Sequence, residues 1–156
     1  MTWSILARDE NGHFGVAIAS RFFAVGSLCV HTRRGVGALS TQALMNPLYG
    51  PAGMDAMERG YDAASTIAMV IAADEGREQR QLHLLPLSGI GAAHTGSACI
   101  DWCGHLVLDG LSVAGNMLAG PRVIEATAEA YLAAAGKPMA ERLLAALDAG
   151  EAAGGD

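Results

Sequence analysis

The hydrophobic period of this sequence changes from two to about 3.6 and back, twice over, and that alternation limits the chain to a layered fold. Ser4 to Asp9 and Phe14 to Ser20 are apolar runs of strand length, separated by Glu10-Asn-Gly-His13. Asn-Gly accepts the positive φ that tight hairpin turns require, so the two runs are expected to pair as a β-hairpin. Leu28 to Thr32 and Gly35 to Gln42 repeat the pattern around Arg33-Arg34. Four strands therefore open the chain. Asn46-Pro47 and Gly50-Pro51 are expected to break it, because the residue before a proline is pushed out of helical space.

Beyond these breakers Met54, Met57 and Tyr61 share one face of a first helix, and Ala64, Ile67, Ala68 and Ile71 mark a second, with Gly60 between them. Asp62 is placed to cap the second helix through its side-chain oxygen. Short apolar runs broken by glycine return at Leu82–Leu87, Ile90–His94, Leu106–Leu108 and Leu111–Ala114. Pro121 to Ala135 is alanine-rich and helical, and Met139 to Ala149 forms a last helix after Gly136 and Pro138. Strands and helices that come in segregated runs predict an α+β domain rather than alternating βαβ units.

Composition excludes several classes. Of the 156 residues 51% are hydrophobic, and 10 Lys+Arg against 16 Asp+Glu give a net charge of −6. So apolar a chain is not disordered, and an acidic one lacks the basic excess of a nucleic-acid binder. No uncharged apolar stretch reaches the ~18 residues of a membrane span, and Arg8-Asp9 interrupts any signal-peptide core. One cytoplasmic globular domain over residues 1–156 is the expectation. Cys29, Cys99 and Cys103 are odd in number and irregularly spaced, which is no disulfide framework. Lys137 is the only lysine, so cationic work falls to arginine.

Candidate chemistry is sparse. Gly35-Val-Gly37, with Asp55 twenty residues beyond Gly35, resembles a dinucleotide loop only in its glycines, since no helix is expected to open directly after it. His94, Cys99, Cys103 and His105 lack paired Cys-x-x-Cys or His-x-x-x-His spacing. No metal and no cofactor are expected, and zinc hydrolysis through that cluster ranks third among the readings. His31 and His83 read as satisfied strand histidines and His13 as solvated. The mixed run Asp74, Glu75, Arg77, Glu78 and Arg80 reads as exposed surface. Thr2 is different. Removal of the initiator methionine before a small residue would leave a threonine with its hydroxyl and its α-amine on one residue. An α-amine with a pKa of about 7.7–8.0 is partly unprotonated near neutrality and can serve as base for that hydroxyl.

Thr2-Trp-Ser-Ile-Leu-Ala-Arg-Asp9, Gly15-Val-Ala-Ile-Ala-Ser-Arg21-Phe-Phe-Ala-Val-Gly26, Gly35-Val-Gly-Ala-Leu-Ser-Thr-Gln-Ala43 and Asn46-Pro-Leu-Tyr-Gly50 form a set. With His94-Thr-Gly-Ser-Ala-Cys99, Trp102, Gly104-His105 and Gly115-Asn-Met-Leu-Ala-Gly120, they resemble the bacterial family called domain of unknown function 1028, across essentially the whole chain. The resemblance implies an N-terminal-nucleophile hydrolase fold, a four-layer αββα sandwich related to proteasome subunits. It implies hydrolysis of an amide or related C–N bond in a small molecule, with Thr2 as nucleophile. It also implies further residues beyond Asp156, including strands that would complete the sheets.

Proteasome-like enzymes place an acidic residue after the second strand and a lysine on the next. Here Ser20-Arg21 stands at the first place and no lysine is available for the second. Arg21 is instead expected to hold the α-amine neutral or to clamp a substrate carboxylate. Asn116 and the backbone at Thr41-Gln42 are nominated as oxyanion donors, with Ser20 and Asn46 beside the substrate. Ser4, two residues from Thr2, shares its face of the strand and is a candidate proton relay. The expected partner is a small-molecule substrate, with no nucleic acid and no membrane, and a homo-oligomer is expected. The alternative from another class is a non-catalytic binding or assembly protein on the same sandwich.

Overall fold

A computed structural model describes residues 1–155. The first hairpin pairs β1 (Thr2–Arg8) with β2 (Phe14–Ser20), from Thr2 opposite Ser20 to Arg8 opposite Phe14. Its turn is one residue longer than the two-residue Asn-Gly form. Gly12 N–H donates to Asp9 O at 3.0 Å and Gly12 alone takes the left-handed conformation, φ 76°, which makes a three-residue loop. The Asp9 carboxylate fixes it by accepting from the N–H groups of Asn11 and His13.

The third apolar run is not a strand from Leu28. Gly26–Cys29 winds into a short helix, α1, and only Val30–Arg33 extends, as β3 beside β4 (Gly37–Ala43). Gly50-Pro51 does not break the chain either, for both lie in the first turn of α2 (Tyr49–Glu58). The N–H groups of a first turn have no intrahelical acceptor, so a proline there forfeits nothing. Met54 and Met57 are buried on α2 as the period predicts, whereas Tyr61 lies past its end and is exposed. The α3 helix (Ala63–Ala72) starts where Asp62 accepts from Ser65 N–H at 2.7 Å, the expected cap.

A 3-10 turn (Arg77–Gln79) leads into β5 (Arg80–Pro86), β6 (Ala92–Thr95), β7 (Trp102–Leu108) and β8 (Leu111–Leu118), and the chain continues through α4 (Arg122–Ala133) and α5 (Met139–Ala152). These form two four-stranded antiparallel sheets, ordered β2-β1-β8-β7 and β3-β4-β5-β6. The fold is thus mixed α+β, with two antiparallel sheets and five helices among the described residues. On the first sheet Trp3, Ile5 and Val113 pack with Val123, Tyr131 and Leu143 of α4 and α5. On the second, Leu39, Leu82 and Leu84 pack with Met54, Met57 and Ile67 of α2 and α3. The sheets meet through their other faces, where Leu6, Ala38 and Leu85 form a small apolar cluster. Among the described residues no helix is long and apolar enough to cross a membrane.

Candidate functional site

Because side chains alternate across a strand, the inner face of β1 carries Thr2, Ser4 and Leu6. The same alternation gives β4 Ala38, Ser40 and Gln42, and β5 Gln81, His83 and Leu85. Only the Leu6 end of this layer is apolar. Its middle is a buried polar network whose directions follow from the donors present. Gln81 Nε2 lies within 2.9–3.0 Å of the carbonyl oxygens of Gly104 and Gly115 and of Thr95 Oγ1. Carbonyls only accept, so the amide nitrogen of Gln81 is fixed on that side and its Oε1 turns to the other. There it accepts from Gln42 Nε2 at 2.7 Å and Asn116 Nδ2 at 3.2 Å. Gln42 Oε1 accepts the one proton of Ser4 Oγ at 2.6 Å, so His83 Nε2 must donate to Ser4 at 2.8 Å and His83 Nδ1 must accept from Ser112 at 2.9 Å. His83 is neutral: its full burial lowers its pKa to about 3. Reading it as a satisfied strand histidine agrees with this geometry.

Past Ser4 the sheets part into a cleft of about 640 Å³ lined by Thr2, Ser20, Arg21, Gln42 and Asn116 among others. Register assembles this end: Thr2 on β1 is paired with Ser20 of β2 on one side and with Asn116 of β8 on the other. Thr2 is 9% exposed, and its Oγ1 lies 2.9 Å from Ser20 Oγ. Both hydroxyls reach the Met1 carbonyl oxygen, at 2.7 and 2.9 Å, and Phe22 N–H donates to Ser20 Oγ at 3.0 Å. Two thiols also face the cleft. Burial pushes Cys29 up to about 11 and raises Cys99, with Cys103 adding to the latter, so neither is a ready thiolate.

Of the residues nominated from the sequence, Thr2, Ser20, Arg21, Gln42 and Asn116 come together at the cleft. Ser4 does not line it. It is fully buried behind Thr2 and bonded to Gln42 and His83. Thr41 points to the opposite face of β4, where its hydroxyl donates to Asn46 O at 3.4 Å. Asn46 sits outside the cleft as well, donating through Nδ2 to Asp74 and accepting from Leu48 N–H through Oδ1.

That contact belongs to a hub which corrects the reading of Asp74 and Arg80 as exposed surface, while Glu75, Arg77 and Glu78 of the same run are exposed as expected. The Asp74 carboxylate accepts from Arg80 Nε at 2.7 Å, Tyr49 OH at 2.6 Å, Asn46 at 3.1 Å and Gly76 N–H at 2.8 Å. Arg80 foremost, then Tyr49, holds this carboxyl well below the usual range. Arg80 also donates to the carbonyls of Leu44 and Met45, so the hub pins the loop that walls the cleft.

His94, Cys99, Cys103 and His105 do not converge. His94 Nε2 bonds Arg77 O, His105 Nδ1 bonds Thr95 Oγ1, and the two thiols donate to the carbonyls of Arg80 and Cys99. Among the described residues no group of three or more His, Cys, Asp or Glu is arranged to hold a metal ion, which leaves the zinc reading without a ligand set. Sequence reasoning did not place Cys29, Phe22, Leu44, Met45 or Ile100 at the cleft, where all five lie. A run of apolar residues directly after the ends of β2 and β4 was the available signal.

Residues 2–156 match a family of unknown function, DUF1028. The chain belongs to this family. The crystal structure of protein SPO2555 from Silicibacter pomeroyi, which carries the same family designation, superposes with a TM-score of 0.94 at 34% identity, over 98% of this chain and 68% of that one. No curated protein matches the chain. The blocks that carried the resemblance in the sequence include the cleft ends of β1, β2, β4 and β8 in this DUF1028 protein.

Proposed function

We propose that this DUF1028 protein is a hydrolase of the N-terminal-nucleophile type that cleaves an amide or related C–N bond in a small molecule, with Thr2 as nucleophile once Met1 is removed. The helix pair α4/α5, the two sheets and the pair α2/α3 are then the four layers of an αββα sandwich. One observation carries the reading: the Thr2 hydroxyl stands at the cleft end of a central strand, touching a second hydroxyl and flanked by the Asn116 amide.

Removal of Met1 takes away the carbonyl that both hydroxyls now bond and frees the Thr2 amine beside Ser20. The amine accepts the hydroxyl proton as Oγ1 adds to the substrate carbonyl carbon. The C–N bond then breaks, the proton leaves with the amine product, and water hydrolyses the ester left on Thr2. Asn116 Nδ2 spends one proton on Gln81 and has a second to offer the developing oxyanion, with a single such donor worth roughly 2.7–4 kcal/mol in a measured case. Thr2→Ala is expected to abolish turnover with an unchanged circular dichroism spectrum, and Thr2→Ser to retain it. Full activity in Thr2→Ala, or a purified active protein whose intact mass includes Met1, overturns the reading.

A further inference from the structure

Four segments drawn from both sheets bring apolar side chains to the cleft: Phe22 after β2, Leu44 and Met45 after β4, Ile100 before β7 and Met117 in β8. Phe22, Leu44 and Ile100 are 52%, 60% and 61% exposed, so the chain leaves apolar surface here that it does not cover itself. Exposed apolar side chains gathered at one cleft mark a ligand groove, whereas single scattered ones carry no such meaning. Charge narrows the ligand. Among the described residues no Asp or Glu lines the cleft, and its polar side chains Thr2, Ser20, Gln42, Gln79 and Asn116 are neutral. Cys29 and Cys99 keep their protons, because burial raises both thiols. Arg21, the charged side chain in the lining, is already engaged in an interaction of its own. A charged ligand group entering here gives up its water with no new counter-charge to meet, which is costly. A neutral amide merely exchanges hydrogen bonds to water for bonds to hydroxyls and side-chain amides.

We infer that the substrate is an uncharged aliphatic amide, with its carbonyl at Thr2 and the hydrocarbon of its acyl half against Leu44, Ile100 and Met117. This rests on the proposed role of Thr2. The nitrogen half leaves first while the acyl half stays on the protein as the ester, so contacts to the acyl half position the substrate in both steps. For a primary amide the C–N bond breaks as Thr2 Oγ1 bonds the carbonyl carbon, ammonia carries off the hydroxyl proton, and water splits the ester to a carboxylic acid and the free hydroxyl. A cleft of about 640 Å³ lies inside the range of roughly 300–1,000 Å³ usual for small-molecule sites.

Two pairs of probes separate the claims. Octanamide against butanamide reads the hydrocarbon, and N-octanoylglycinamide against its anionic counterpart N-octanoylglycine reads the charge. Calorimetric titration into Met1-free Thr2→Ala, and release of ammonia or amine by the Met1-free protein, are the two readouts. A methylene fully removed from water is worth about fourfold in affinity, so octanamide, longer by four methylenes, is expected to bind at least about tenfold more tightly than butanamide. N-octanoylglycinamide is expected to bind at least about tenfold more tightly than N-octanoylglycine. Adding Leu44→Asp or Ile100→Asp to Thr2→Ala is expected to erase the advantage of octanamide. The same change at Leu144, equally exposed but on α5 outside the cleft, is expected to leave it intact. Equal binding within either pair, no binding, a preference for N-octanoylglycine, or an equal loss in Leu144→Asp overturns the substrate class. Selective binding without release by the Met1-free protein upholds the class and removes the catalytic role of Thr2. Release that is fastest from butanamide or from N-octanoylglycine upholds Thr2 and removes the class.

Discussion

An imidazole enclosed between Ser4 and Ser112 has no room for a second proton, because Ser112 must then give up the acceptor on Nδ1 and no carboxylate is bonded to the ring. Burial is the main cause of the low His83 pKa and electrostatic repulsion from His105 the second. The sign follows directly. An unfolded histidine takes up a proton below about pH 6.5 while native His83 does not, so the folded state has its full advantage above that pH and loses it as pH falls towards about 3. Between about pH 7 and pH 5 the loss from this one group is about 2 kcal/mol. Urea midpoints at the two pH values should fall steeply for the wild type and much less for His83→Gln, whose amide can still bridge both serines. Parallel losses would place the acid sensitivity elsewhere, with His105, itself lowered by burial, the next candidate. This layer was legible in part. Polar residues two apart on otherwise apolar strands, Thr2/Ser4, Ser40/Gln42 and Gln81/His83, mark one polar face each. What the sequence leaves open is that the three faces meet, since that depends on pairings between distant strands.

Elements were legible where one period ran long enough. The helices α3, α4 and α5 lie where the apolar stripes predict them, while the four-residue α1 is too short to show a period at all. Close approach is the other thing a stripe conceals, and Gly150 in α5 is an instance. Replacing a helical glycine with alanine ordinarily gains about 1 kcal/mol in propensity. Here a Cβ would stand 2.4 Å from Thr127 Oγ1 and 2.7 Å from Trp3 Nε1. Trp3 is only 2% exposed and packed between β1 and the two last helices, so it has nowhere to retreat. Overpacking of this kind costs roughly 1–3 kcal/mol and outweighs the propensity gain. Gly150→Ala should therefore lower the thermal midpoint, and a raised midpoint would mean that α5 slides on the sheet. Asp74→Asn tests the hub that ties Tyr49 of α2 and Arg80 of β5 to the turn after α3 in the same way. It removes the charge from four donors' shared acceptor and should cost roughly 2 kcal/mol in urea unfolding, with no loss expected if Arg80 merely re-solvates.

At the scale of the molecule the chain is nested. Residues 26–95 supply the second sheet with α2 and α3, while the first sheet is closed by β1 pairing with β8, across more than a hundred residues of sequence. No strand is shared between the sheets, so their union depends on the layer between them. One end of that layer is apolar, at Leu6, Ala38 and Leu85, and the other opens into the cleft. The middle is held by amides of the second sheet that satisfy carbonyls of the first: Gln42 at Ala114, and Gln81 at Gly104 and Gly115, beside the register shift in β7. Gln81→Leu keeps similar bulk and adds apolar contact worth up to about 2 kcal/mol, but it strands two buried carbonyls and the amides of Gln42 and Asn116 at roughly 1–3 kcal/mol for each unsatisfied group. The deficit wins, and a net loss of about 3 kcal/mol is expected. Trp3 and Trp102 both belong to the first sheet, whereas circular dichroism reports on both sheets together. If the polar layer couples them, fluorescence and dichroism trace one coincident transition in the wild type and the same coincident transition, shifted to lower urea, in Gln81→Leu. An unshifted midpoint would show that the apolar end alone joins the sheets, and a fluorescence transition that precedes the dichroic one would show that the outer strands leave a second sheet able to stand without them.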